Sequence, residues 1–497
     1  MAERIILVMD CGATNVRTVA VNNKGVVIAQ NSLPNNTCKD PYNESFCIWD
    51  VNEIWLKLIN TTKAVLKNID KKNIAGITIT TFGVDGAPVS ETGKLLYPVI
   101  SWQCERTKPV MDNIDKYMAL GKIYELSGLQ PYSFNTVNKL IWFKENKPEI
   151  LESMHKFLFI PSIFIYFLTG EMINDATMAG TSMLTDLSSQ SYSKEIFDAI
   201  GVDMKKLLPA VRPGNVVGKV TRKASDDTGI PKDTPVIISG HDTQFAIFGS
   251  GAKENQPVLS SGTWGILMVR SKTYSSSENT FKSGITTEFD PIPNLYDIGI
   301  MWLSSGIVEW VKNMFYGGGK DDNIYERMIN EAMSTPIGSK GVMMHPEFFS
   351  ESVSGMGSIM GISMDTTRGQ IFRACIESLS FKTRQSNELL EKAGKFKAEC
   401  IICVGGGSKN KLWNQIRADV TGIPVKLIDQ KETTVLGAAL FAFSGIGEFR
   451  NPYEARNIVK YNEQVIEPSP DSKIYQSYYD RYKILLNEMN DTYRKLS

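Results

Sequence analysis

Apolar residues in this chain fall into short runs that stop abruptly on a glycine or a carboxylate. Residues 5–9, 16–21 and 26–30 read as three strands, the last two joined by the turn formers Asn22-Asn23-Lys24-Gly25. Residues 74–80 form a further strand that runs into Thr81-Phe-Gly-Val-Asp-Gly86. Near the middle, Val236, Ile237 and Ile238 make a short apolar run, Gly240 breaks it, and Phe245, Ile247 and Phe248 continue at helical spacing. His241 and Asp242 therefore fall on a strand-to-helix turn, where open α/β sheets carry ligand-binding groups.

Helical periodicity marks other segments. Asp50 and Glu53 open a helix as a capping box, with Trp55, Leu58, Ile59, Thr62, Leu66 and Ile69 on one face. Residues 107–215 read as mostly helical, with Pro and Gly breaks. Residues 249–256 read as a linker and a candidate hinge. A long helix is expected over 367–393, a small-residue helix from Thr433, and a tail helix over 472–497 with Ile474, Tyr478, Tyr482, Leu485 and Met489 on its face.

The chain repeats itself. Val258-Leu-Ser-Ser-Gly-Thr-Trp-Gly has the form of the first hairpin, with Gly262 laid on Gly12. The run before Gly405-Gly406-Gly407-Ser408, with the helix that follows, is matched to the strand, glycine and helix at 236–248. On that pairing the glycines stand 228 residues apart in the first half and 143 in the second, so inserted material is expected mainly in the first. The expected division is 1–250, 251–455 and a helical tail over 456–497.

Composition narrows the functions. At 497 residues the chain exceeds one core and fits two or three domains. Lys+Arg and Asp+Glu both total 54, so no basic surplus points to nucleic acid or an anionic membrane. The seven cysteines are scattered; only Cys400 and Cys403 have zinc-type spacing, and no second pair accompanies them. The run at 5–9 is too short for a signal peptide, and the apolar 157–170 contains Pro161 and reads as core. A reduced, cytoplasmic protein is expected.

Several groups could carry chemistry. In Asp10-Cys-Gly-Ala-Thr-Asn-Val-Arg17, Gly12 allows close backbone approach, Thr14 and Asn15 bring donors and Arg17 brings charge, as a phosphate-binding turn requires. Asp242 either caps its helix or acts on a substrate. Gly83 and Asp85 sit at a strand end, where Asp85 binds hydroxyls or serves a turn. Trp102 and Arg106 form a polar-aromatic cluster, or else a core Trp beside a surface Arg. Two glycine hairpins, a glycine-rich turn and a duplication suggest an actin-like (ribonuclease H-like) α/β ATPase of two domains with a nucleotide and sugar cleft between them. The first hairpin, with Gly262 and Thr263, would then hold phosphates, Gly405–Ser408 would abut adenosine, and Asp10 would sit near Mg²⁺ through water.

Five motifs in order resemble the FGGY carbohydrate kinase family over essentially the whole chain: residues 10–17, Gly-His-Asp-Thr at 240–243, Ser-Ser-Gly-Thr-Trp at 260–264, Gly-Gly-Gly-Ser-x-Asn at 405–410, and Glu-Thr-Thr-Val-x-Gly-Ala-Ala at 432–439. The resemblance implies ATP and Mg²⁺ as cofactors, with Gly12, Ala13, Thr14, Asn15, Arg17, Gly262, Thr263, Gly405, Gly406, Gly407, Ser408 and Asn410 on the nucleotide. It implies Gly83, Asp85, Trp102, Arg106, His241, Asp242 and Thr243 on the sugar, and Asp242 as base. Residues 80–86 and His-Asp-Thr are most similar to the kinases of 6-deoxy-ketohexoses. L-Fuculose, phosphorylated at O1, is the first candidate; L-rhamnulose, D-ribulose and L-xylulose are alternatives. Gly265 and Glu105 depart from the pattern, standing where an acidic side chain and an Asp are expected. The competing classes are a hydrolytic actin-like ATPase and a sugar-sensing regulator; the latter would ordinarily carry a DNA-binding helix pair. Small molecules are the expected partners, and a homodimer is compatible with the reading.

Overall fold

The computed structural model describes residues 3–317, 323–348 and 356–496. The first sheet contains β1 (Ile5–Cys11), β2 (Asn15–Asn22), β3 (Val27–Pro34), β4 (Ile74–Thr81), β5 (Val216–Lys219) and β6 (Pro235–His241), in spatial order β5-β6-β4-β1-β2-β3. The second contains β7 (Val258–Ser261), β8 (Trp264–Ser271), β9 (Thr286–Phe289), β10 (Tyr296–Leu303), β11 (Ile401–Val404), β12 (Val425–Ile428) and β13 (Glu463–Ile466), ordered β9-β10-β8-β7-β11-β12-β13. Strands β1, β4 and β6 are buried almost throughout because both faces are covered.

The duplication is real, but its internal pairing differs from the expectation. β1 lies parallel to β4 and β4 to β6, as β7 lies parallel to β11 and β11 to β12. The counterpart of β11 is therefore β4, and that of the central strand β6 is β12. A glycine after an apolar strand recurs at several strand ends here, so the motif alone could not assign rank; hydrogen-bonded neighbours do. The first half's large insertion lies between β4 and β6, at 82–234. The second half carries its own between β10 and β11, at 304–400.

Asp50 caps α1 (Val51–Leu66) through the amides of Asn52 and Glu53, but Glu53 does not return the bond; it reaches forward to Lys57 at 2.6 Å. Residues 107–215 alternate short helices with two- to four-residue strands, so they are less uniformly helical than expected. The apolar 157–170 stretch is the end of a strand followed by α2 (Ile160–Thr169), packed in the main core of the first half. Among the described residues no helix is long and apolar enough to cross a membrane. The seven cysteines are unpaired.

Three helices fix the site. Helix α3 (Asp242–Gly249) follows β6, α4 (Arg368–Gly394) backs the second sheet behind a Thr367–Gln370 capping box, and α5 (Lys411–Thr421) follows β11. A fourth, α6 (Thr433–Gly445), crosses the expected domain boundary. Val435, Leu436 and Phe441 share a core with Ile6, Val8 and Ile237 of the first sheet and with Phe245 and Phe248 of α3. Gly437 lets α6 approach α3, for a Cβ there would stand 2.0 Å from the Phe245 carbonyl oxygen. The tail helix α7 (Ser472–Leu496) turns Tyr475, Tyr479 and Tyr482 onto Phe381, leaving Ile474 half exposed. Its buried face is thus rotated from the expected one, since two aromatic stripes share the helix and packing selects between them; Ser497 lies outside the described residues.

Candidate active site

The carboxyl ends of β1, β4 and β6 finish together: Asp10 stands opposite Thr80, and His241 opposite Thr81. Thr78 and Thr80 donate their hydroxyls to the carbonyls of Ile237 and Gly240 at 2.8 and 2.9 Å, tying β4 to β6. Gly240 cannot carry a side chain, because a Cβ would stand 1.9 Å from Asp175 Oδ1. The next amide, of His241, donates to Thr177 Oγ1 at 2.9 Å. His241 occupies the cap position of α3 without capping through its side chain, and Asp242 is the first helical residue. Capping therefore does not occupy the Asp242 carboxylate. It accepts from Thr243 Oγ1 at 3.2 Å and faces His241 Nε2 at 3.4 Å.

Two cavities meet at this turn. The larger, about 730 Å³, is lined by Asp242 and Thr243 on one side and by Gly405, Gly406, Ser408, residues 429–431, Thr433 and Thr434 on the other. The smaller, about 440 Å³, is lined by Gly83, Trp102, Tyr132, Phe134, His241 and Thr243, and from the second half by Trp264 and Glu288. Thr243, Ile266 and Met268 belong to both. The arrangement places the Asp242 carboxylate in the glycine-rich cleft, between His241 and Thr243 that line the aromatic-walled pocket, with the Asp10 turn nearby.

Residues 5–249 match the N-terminal domain of the FGGY family of carbohydrate kinases, and residues 258–446 its C-terminal domain. The chain belongs to the FGGY family of carbohydrate kinases. It is 42% identical to L-fuculokinase from Escherichia coli (strain K12), over 96% of this chain and 100% of that one. Rhamnulokinase from Bacteroides thetaiotaomicron is 27% identical over 91% and 93% of the two chains. In fold it superposes on the xylulose kinase from Rhodospirillum rubrum with a TM-score of 0.89, covering 99% of this chain and 100% of that one at 20% identity.

For an FGGY kinase the electrostatics of the turn are informative. Burial raises Asp242 above the ordinary carboxylate range, opposed by His241 and by the Thr243 hydrogen bonds. Burial alone would lower His241, but Glu288 and Asp242 raise it. Asp10 is pushed up to about 6 by burial, against the pull of Arg17. Among the described residues no cluster of three metal-ligating side chains forms.

Several expected site residues are placed differently. Arg106, expected on the sugar, is buried in an ion pair with Asp40 at 2.7 Å, with its guanidinium over the rings of Phe46 and Trp142. Asp85, expected on sugar hydroxyls, has a fully buried side chain held by Lys139 Nζ, by Trp49 Nε1 at 2.6 Å and by the Trp102 amide at 3.0 Å. It supports the pocket wall from behind. Arg17, expected on phosphate, is clamped between Asp10 at 2.7 Å and Glu432 at 2.6 Å. Asn410 caps α5 through the Trp413 amide, and Gly407 packs on Ser261. Gly12, Ala13, Thr14 and Asn15 form a closed turn, the Gly12 amide donating to the Asn15 carbonyl at 2.9 Å, with Thr14 and Asn15 exposed. Gly262 and Thr263 form the matching turn, with Thr263 exposed. Gly265, where an acidic side chain was expected, packs on Trp302: a Cβ there would stand 2.8 Å from the ring.

Glu288 and Lys139 were not singled out from the sequence, and Glu432 entered only as the first residue of a family motif, with no role given to it. The mark on Glu288 is structural, not sequential: Thr286-Thr-Glu-Phe289 does not alternate in polarity, but it alternates in burial, which puts Thr286 and Glu288 on one face. Lys139 sits within a helical stretch and carries no such mark.

Proposed function

We propose that the protein transfers the γ-phosphoryl group of ATP to O1 of a 6-deoxy-ketohexose, L-fuculose. The observation that carries this reading is Asp242 lining the larger cavity, between His241 and Thr243 that line the smaller one. The near-full-length likeness to L-fuculokinases supports the choice of sugar. ATP occupies the larger cleft, its adenosine against Gly405, Gly406 and Ser408 and its phosphates reaching the turns at 12–15 and 262–263. The ketose occupies the smaller cavity, against Gly83, Trp102, His241 and Thr243. Asp242 takes the proton of the O1 hydroxyl as that oxygen attacks the γ-phosphorus and ADP leaves; such a base typically contributes about 10²–10⁴-fold. His241, between Glu288 and Asp242, donates to a ketose hydroxyl. Mg²⁺, when bound, neutralises phosphate charge, with Asp10 and the nucleotide's phosphates holding it.

The test is a coupled ADP-release assay over L-fuculose, L-rhamnulose, D-ribulose, L-xylulose and a no-sugar control. The highest kcat/KM is expected with L-fuculose. Equal ADP release without sugar would contradict the kinase reading, and a higher kcat/KM for another ketose would replace the substrate.

A further inference from the structure

The smaller cavity draws its charged wall from the half of the chain opposite to Asp242. Strand β9 presents Glu288 there, its side chain 14% exposed. Glu288 Oε2 accepts a hydrogen bond from Nε2 of Gln244, a fully buried residue on α3, and stands 3.5 Å from His241 Nδ1. That nitrogen is buried and has no hydrogen-bond partner among the described residues. Glu288 thus already spans the two halves through one oxygen. No described residue bonds its Oε1.

An ionised carboxylate accepts at both oxygens, and a polyol offers adjacent hydroxyl donors that match it. The other carboxylate expected on the sugar, Asp85, has no exposed side-chain surface and is committed to Lys139, Trp49 and Trp102. Among the cavity-lining residues of the second half, Glu288 is the one with a charged side chain.

Resting on the ketose-kinase reading above, we infer that Glu288 is a ketose-binding residue, which accepts hydroxyl hydrogen bonds from the sugar and makes both halves of the chain grip it. The imidazole of His241 lies between that grip and Asp242, with carboxylates 3.5 and 3.4 Å from its two nitrogens. Sugar bound to Glu288 therefore also fixes the imidazole beside the base. Hydrogen bonds to a charged group carry enough energy that losing them weakens binding about 10- to 100-fold.

The experiment compares wild type with Glu288→Gln, which keeps the shape and an acceptor for Gln244, and with Glu288→Ala. KM for the ketose, KM for ATP, kcat, and the melting temperature with and without each ligand are measured. Both variants are expected to raise ketose KM about 10- to 100-fold while ATP KM stays within about twofold. Glu288→Gln should melt like wild type without ligand and lose the ketose-induced shift but keep the ATP-induced one. An unchanged ketose KM in Glu288→Gln overturns the inference. So does equal loss of ketose and ATP affinity in both variants with a lowered ligand-free melting temperature, the mark of a scaffold residue. A wild type that turns over no ketose overturns instead the reading beneath it.

Discussion

Lys139→Met removes the cation beneath the smaller cavity while keeping the bulk of its stem. In the folded protein Lys139 and Asp85 are both fully buried, and Lys139 Nζ also donates to the Val84 carbonyl at 3.0 Å. That carbonyl keeps a second donor, Thr136 Oγ1 at 2.7 Å, so it is not orphaned by the change. Asp85 is different: it retains Trp49 and Trp102 but loses its counter-charge in a dry site. Breaking a buried pair from one side costs about 3–5 kcal/mol. At about 2 cal/mol/K of unfolding entropy per residue, this lowers the melting temperature by about 3–5 °C if the whole chain unfolds together, and by about twice that if the first half unfolds alone.

The pH dependence gives the sharper test. Burial raises Asp85, and the Lys139 charge is the largest influence holding it down. Without Lys139 the folded value rises further. A carboxyl whose folded pKa is raised contributes stability that is fully present below its unfolded value of about 3.9 and is lost as pH rises through the folded value. The Lys139→Met penalty should therefore be larger at pH 8 than at pH 5, and Asp85→Asn added to it should recover much of the loss. Thermal melts at both pH values, with the double variant, provide the measurement. A shift under about 1 °C at pH 8, equal losses at the two pH values, or no rescue would refute the account. Val84 has a φ of +62° and lines the smaller cavity, proposed above for the ketose, so slackening beneath it should also raise ketose KM.

Asp242→Asn should lower kcat about 10²–10⁴-fold with ATP affinity and melting temperature preserved; near-normal turnover would remove Asp242 as the base. His241→Ala should raise KM for the ketose far more than for ATP, as read from paired saturation curves. Gly437→Ala forces α6 off α3, at a cost of about 1–3 kcal/mol, and because α3 begins with Asp242 it should lower kcat as well. A Gly437→Ala enzyme with wild-type melting and turnover would show that the helices separate freely.

Much of the site was readable along the chain because its signals are local. An apolar run ending in Gly-His-Asp-Thr makes a strand, a turn and a helix start whatever lies around it, and Gly12 and Gly262 announce their hairpins within a few residues. The two-half architecture followed from that repetition. The family motifs likewise sit in contiguous stretches, and so the kinase chemistry could be expected before any coordinates.

What needed the tertiary structure were the relations between distant segments. Sequence could not rank β11 against β4 or β6, because rank is set by inter-strand hydrogen bonds. It could not say that Arg106 turns inward to Asp40 or that Asp85 turns to Lys139, since a charged residue at a strand end reads the same whether it meets solvent, sugar or a buried partner. Glu288 reaches His241 across 47 residues of chain and between two sheets. The sequence alone determined the strand ends and the strand-to-helix turn that carries Asp242. Only packing decided which charges were consumed in holding the pocket and which were left to meet the substrate, because burial and pairing are properties of what surrounds a side chain in space.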